Sequence, residues 1–111
     1  MNFAELPEEV RRHYPWPGER LKLSNGHALH YLDTGKGEPL LMVHGNPTWS
    51  FYYRTLVAGL EDSYRCVVPD HLGAGLSDKP QDWTYRLADH VANLVELIDH
   101  LDSHRLAIRS G

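Results

Sequence analysis

The sequence predicts an α/β fold, an N-terminal hairpin followed by a β-α-β-α-β run in a mostly parallel sheet. Three observations lead there. Two apolar-alternating runs flank Ser24-Asn25-Gly26. Three short apolar segments, Pro39 to Val43, Arg65 to Val68 and Leu106 to Ile108, are bounded by turn residues. Between them lie two stretches with apolar residues at helical spacing, Trp49 to Leu60 and Thr84 to Leu101. Short continuous apolar runs suit strands covered on both faces. Strands that alternate with amphipathic helices join into parallel sheets through right-handed crossovers.

Taken in order, residues 1–18 carry Pro7, Pro15 and Pro17, three of the seven prolines, and read as an N-terminal arm with at most one helical turn. Asn-Gly between alternating runs predicts a hairpin of Leu21–Leu23 with Ala28–Leu32. Gly35-Lys36-Gly37 turns the chain into the first buried strand. Apolar residues at 49, 53, 56, 57 and 60 predict a helix that Thr48 or Ser50 would cap. The next strand ends at Pro69-Asp70. The helix over 84–101 has apolar residues at 87, 91, 94, 98 and 101, a stripe expected to face the core. Leu106-Ala107-Ile108 opens a third buried strand.

Composition narrows the function. The chain has 111 residues, enough for one small domain and too few for two. Hydrophobic residues make up 41% and charged residues 23%, which fits a globular chain and excludes a disordered one. The net charge of −4, with no basic face, argues against nucleic acid as a partner. The lone Cys66 sits in an apolar run and is read as a buried thiol. The charged N-terminus lacks a signal-peptide core, and no run approaches the roughly 20 apolar residues of a membrane span, so a cytoplasmic protein is expected. Eight histidines raise the question of a metal, but none falls in a ligand spacing, so neither metal nor cofactor is expected. His27 and His30, three apart in the hairpin, would point to opposite faces.

In parallel sheets, ligands sit beyond the carboxyl ends of the strands. Two loops fall there, His44 to Trp49 and Asp70 to Pro80. A tight turn after a strand can aim backbone N–H groups at a developing oxyanion. In His44-Gly45-Asn46-Pro47-Thr48-Trp49, Gly45 permits an unusual backbone and Pro47 fixes the next φ. Asn46 is the candidate oxyanion and leaving-group donor and a candidate substrate contact; the plainer reading is a turn residue bonding its own backbone. Trp49 is a candidate substrate contact, with core packing as the plainer reading. Gly73-Ala74-Gly75 is not a dinucleotide fingerprint, because the third glycine is missing and no helix opens at once. Ser77-Asp78 reads as turn capping.

Two long stretches make the chain similar to a known family. They are His44-Gly45-Asn46-Pro47-Thr48-Trp49-Ser50-Phe51-Tyr52-Tyr53-Arg54 and Val68-Pro69-Asp70-His71-Leu72-Gly73-Ala74-Gly75-Leu76-Ser77-Asp78-Lys79-Pro80. From about Tyr14 to Ile108 the sequence resembles the α/β-hydrolase superfamily, in the branch of the haloalkane dehalogenases. Within that branch it is particularly similar to the β-lactone (cis-3-alkyl-4-alkyloxetan-2-one) decarboxylases of bacterial olefin biosynthesis. The resemblance implies that the N–H of Asn46 contributes to an oxyanion hole and its side-chain amide holds the departing group. It implies that His44 and Asp70 are structural, that Gly73 and Gly75 shape their loop, and that the substrate is a small apolar electrophile. It places the catalytic His beyond this chain and the nucleophile, an Asp in dehalogenases, just after the strand that Leu106 begins.

Ser110 aligns with that nucleophile, yet Ile108 stands where a serine elbow needs glycine. Residues 19–111 are therefore expected to form a partial, truncated α/β-hydrolase domain, lacking nucleophile, acid and catalytic His and inactive alone. The alternative is a non-catalytic fragment, or a half-protein that binds a complementary chain. An unpaired sheet edge would favour self-association in either case.

Overall fold

The structure, a computed structural model, describes residues 2–45 and 48–104. Asn46, Pro47, the expected strand Leu106–Ile108 and Ser110 lie outside the described residues.

Strand β1 (Glu19–Lys22) runs antiparallel to β2 (Ala28–Thr34), with Glu19 opposite Tyr31 and Lys22 opposite Ala28. The connecting loop closes through Leu23 N–H to His27 O, 2.8 Å, and turns at Gly26, φ +90°. The hairpin read from Asn25-Gly26 therefore forms, with His27 in the loop rather than in the strand. Strand β3 (Glu38–Leu41) pairs in parallel with β4 (Tyr64–Pro69), and β4 pairs antiparallel with β2. The order is β1-β2-β4-β3, a mixed sheet whose parallel part is β3 with β4.

Side chains alternate across β4, so the sheet has two covered faces. Cys66 and Val68 join Leu6, Tyr14, Leu32, Val57 and Leu76 on one side; Val67 joins Leu23, Leu29, Tyr31, Leu72 and Leu97 on the other. The arm contributes to the first cluster. Its 3-10 turn Phe3–Glu5 is closed by a reciprocal pair of hydrogen bonds between Asn2 and Glu5, and α1 (Glu8–His13) follows, giving more helix than the prolines suggested.

The stretch expected as one helix from Trp49 begins instead as a 3-10 turn, Ser50–Tyr53, before α2 (Arg54–Leu60). Neither expected cap operates. The Thr48 hydroxyl donates to Gly45 O, 2.8 Å, and the Ser50 hydroxyl bonds Tyr14 Oη at 2.5 Å. The first N–H is taken by a carboxylate from the next strand instead, as described below.

Helix α3 (Leu87–His104) starts three residues later than expected and presents a different face. Asn93 and Leu97 are buried, whereas Leu87, Val91 and Ile98 of the expected stripe are exposed, Leu87 by 80%. Polar contacts on the other side account for this rotation. Glu96 accepts from Ser24 N (2.8 Å) and Ser24 Oγ (2.7 Å), fixing the helix to the hairpin loop. Apolar residues occur at 87, 91, 94, 95, 97, 98 and 101, a wider arc than one neighbour can cover.

One buried carboxylate joins these parts. Asp70 follows β4 and is fully buried. Its Oδ1 accepts from Ser50 N–H (2.6 Å), and its Oδ2 accepts from Leu76 N–H (3.1 Å) and His30 Nδ1 (2.9 Å). His30 Nε2 reaches Pro17 O, 2.9 Å, which ties in the arm. A buried charge is tolerated only with such a full set of donors. Asp70→Asn keeps the shape but loses the charge and one acceptor oxygen. It should lower unfolding stability by about 3 kcal/mol in urea titrations followed by circular dichroism; a change under about 1 kcal/mol would contradict this role.

Candidate functional site

The parallel pair β3 and β4 ends on the same side of the sheet, and the two loops that follow bracket a cleft of about 690 Å³. Its walls include His44, Thr48, Trp49, His71, Tyr85 and His90, with the Leu72–Gly75 backbone as one side. This is the position that the strand-end rule singled out.

The first loop is pinned at its entrance. Gly45 O accepts from His44 Nδ1 (2.7 Å), Thr48 N–H (3.0 Å) and Thr48 Oγ1 (2.8 Å). His44 Nε2 accepts the His71 N–H at 3.0 Å, so the His44 proton sits on Nδ1 and the ring is neutral. His44 thus bridges the two loops, with both nitrogens occupied by backbone. That geometry suits a structural histidine and leaves no nitrogen free to act as a base. The described residues adjoining Asn46 and Pro47 are held by these bonds; Asn46 itself, the main site candidate, lies outside the described residues.

Trp49 serves two purposes. It lines the cleft, and it packs on Tyr14 (centroids 5.3 Å apart) and stacks on Phe51 (5.5 Å). Tyr14 is held well above the ordinary phenol range, by burial first and by the nearby Asp70 charge second, so it stays a neutral donor or acceptor to Ser50.

The second loop is folded by Asp70 and its glycines. Gly75 adopts φ +52°, and a β-carbon there would lie 2.5 Å from Asp70 Oδ2 and 2.7 Å from Trp49 Cε3. Gly73 adopts φ +88°, with Tyr85 Cε1 only 2.6 Å from where a β-carbon would stand. Ser77 and Asp78 do more than cap a turn. Ser77 Oγ donates to Asp70 O (2.6 Å) and accepts from His30 N–H (2.7 Å). Asp78 accepts from Ala28 N–H (2.8 Å) and pairs with Arg20 (2.6 Å), fastening the loop to the hairpin.

The histidine group was not assembled from the sequence. His44, His71 and His90 pack in series, with centroids 4.6 and 4.5 Å apart and planes tilted by 60° and 50°. A signal was present for the first two, because His44 and His71 follow neighbouring parallel strands at the same end. His90 has no such marker. His71 is pushed down to about 4, by burial first and then by the His44 and His90 rings; burial also pushes His90 down. Among the described residues, no group of three His, Cys, Asp or Glu could hold a metal.

Comparison with known proteins agrees with this architecture. A family model described as the alpha/beta hydrolase fold matches residues 38–108, and the chain belongs to that family. It is 55% identical, over 80 residues, to a cis-3-alkyl-4-alkyloxetan-2-one decarboxylase of Shewanella oneidensis, covering 70% of this chain and 25% of that protein. It is 45% identical over 92 residues to haloalkane dehalogenase 2 of Mycobacterium bovis, covering 83% of this chain and 32% of that protein. A solved loop variant of the Bradyrhizobium elkanii haloalkane dehalogenase superposes with a TM-score of 0.69 at 34% identity, covering 75% of this chain and 27% of that one. The chain therefore spans a quarter to a third of the length of these relatives.

The glycine geometry gives a direct test. Gly26 also has positive φ, +90°, but a β-carbon there meets nothing within 4 Å. Gly75→Ala should cost about 2 kcal/mol more than Gly26→Ala, measured by urea unfolding. Equal costs would mean that Asp70 and Trp49 do not close over Gly75.

Proposed function

We propose that this chain supplies the N-terminal half of a hydrolase-type site, in which Asn46 would present its backbone N–H and side-chain amide to negative charge developing on a small apolar electrophile. Two reactions fit that role. In one, Asn46 holds a departing halide; in the other, it holds an oxygen of a β-lactone that opens and loses CO₂. The supporting observation is the clamp on the loop that carries residue 46: Gly45 O takes three donors, and His44 bridges to His71. A preorganised donor is effective because it need not reorganise as charge develops. Trp49, exposed to the cleft on one side and packed on Tyr14 on the other, would form a rigid wall for the substrate. The histidine at position 71 lines the same cleft, and the greater identity to the decarboxylase leans the reading toward the lactone.

The attacking carboxylate and the catalytic histidine would come from polypeptide outside the described residues. A second observation supports a complementary chain as their source. Among the described residues β3 is an edge strand, and its Leu41 together with Val91, Val95 and Ile98 of α3 are 40–50% exposed. An apolar edge of this kind pairs readily with another chain. Self-association of this chain through the same edge is the competing use of that surface.

The test is reconstitution. The 111-residue chain is assayed for halide release and for β-lactone decarboxylation, alone and mixed with the C-terminal remainder of the Shewanella decarboxylase. No turnover is expected alone, turnover is expected in the mixture, and Asn46→Ala should reduce it by about 10²-fold or more. Turnover by the chain alone, or an Asn46→Ala mixture as active as the parent, would overturn the proposal.

A further inference from the structure

We infer that the packed rings of His44, His71 and His90 form an acid-sensitive latch, closed while the rings are neutral, that holds the Asp70–Pro80 loop and the first turn of α3 together along one wall of the cleft. The inference does not depend on which reaction the site serves. The three rings come from three separate segments: the exit of β3, the exit of β4 and the start of α3. His71 is the middle ring, 4.6 Å from His44 and 4.5 Å from His90. The series continues from His90 to Trp83, 5.0 Å, and from Trp83 to Tyr85, 4.7 Å. Backbone hydrogen bonds hold His44 to its neighbours, whereas α3 meets the loop at this point through the tilted rings of His71 and His90, 50° between planes. Ring-to-ring packing of this kind is attractive only while neighbouring rings do not carry like charge.

The stack has no provision for a proton. His44 uses both nitrogens, one as donor to Gly45 O and one as acceptor from His71 N–H. Among the described residues, Nδ1 of His71 and Nδ1 of His90 are buried without a hydrogen-bond partner. A proton on either would make a cation with no acceptor, which is costly away from water. The negative groups facing the stack are Asp70, toward His71, and Asp89, toward His90. Both are already engaged. The Asp70 oxygens accept from Ser50, Leu76 and His30, and Asp89 Oδ2 accepts the Thr84 hydroxyl. His71 and His90 therefore resist protonation when packed and accept it readily when apart.

The sign of the pH dependence follows. The packed state binds its proton at about 4 on His71, against 6.5 for a free imidazole. The latch is thus at full strength above about 6.5 and weakens as pH falls toward 4, because the open state takes up protons that the packed state excludes. The first event on acidification is local: the loop and the α3 start separate while the β2–β4 pairing persists.

The test uses the intact chain. Amide hydrogen-exchange protection is measured at about pH 7.5 and pH 5, with histidine Cε1–H chemical shifts followed through the same range by NMR. Protection at residues 72–74 and 90–93 should fall about thirtyfold, the ratio set by proton uptake at 6.5 when open and about 4 when packed, while Leu32 and Val68 in β2 and β4 keep theirs. His71→Gln, which removes the more strongly depressed of the two rings, should remove most of the fall. If His71→Gln does not fold, the titration of the unsubstituted chain decides: a His71 midpoint near 4 supports the latch, and one near 6.5 overturns it. Uniform loss of protection across sheet and loop, or an unchanged fall in His71→Gln, would also overturn it.

Discussion

The side chain of Asp70 is the contact on which the arrangement of the cleft depends. A carboxylate removed from water is destabilising unless donors replace the lost hydration. Here those donors come from distant parts of the chain: the start of the 3-10 turn at Ser50, the loop at Leu76, and His30 in the middle of β2. The backbone of the same residue takes part as well, donating to His30 O at 2.8 Å and accepting from the Ser77 hydroxyl. Satisfying one buried charge thus fixes the relative positions of a strand, a helix entrance and a loop. Two consequences follow locally. The 3-10 turn needs no side-chain cap of its own, and Gly75 cannot carry a side chain because a β-carbon there would meet the carboxylate and Trp49.

Much of this was readable from residue order. The Asn25-Gly26 turn, the apolar runs of β3 and β4 and the two strand-end loops all rest on local chemistry, and local chemistry is what a sequence displays. Asp70 as an acceptor of backbone N–H groups was also foreseeable, since it follows a buried strand and precedes a glycine loop. What could not be read were choices made by tertiary partners. Ser50 looks like a helix cap, but its hydroxyl is used by Tyr14, 36 residues earlier, and the capping passes to a residue 20 positions later. The apolar arc of α3 is wide enough to face the core in more than one way. The contacts of Glu96 and Asn93 with the hairpin loop select Leu97 as the buried position. The packing of His90 against His71 is of the same kind, a long-range pairing with no local marker. For the candidate site, the loops and Trp49 were identified in advance, whereas Tyr85 and the histidine series were not.

The surface left open by α3 has a physical reading consistent with the comparisons. Leu87, Val91, Val95 and Ile98 lie on the side of the helix away from the hairpin, and Leu41 is exposed on β3, an edge strand among the described residues. The relatives that the chain matches are three to four times as long as the matched part, with 25% and 32% of them covered. A helix with two apolar sides and an edge strand is the pattern of a sheet that is to be extended.

The role of Asp70 can be read most directly from the amides that it holds. The N–H groups of Ser50 and Leu76 belong to no strand and to no regular helical ladder, yet both donate to the buried carboxylate. Native-state hydrogen exchange at these two amides should proceed only through the same global unfolding that exposes β2 and β4. Exchange at ordinary loop rates, with the strands still protected, would show that the carboxylate does not hold the cleft together.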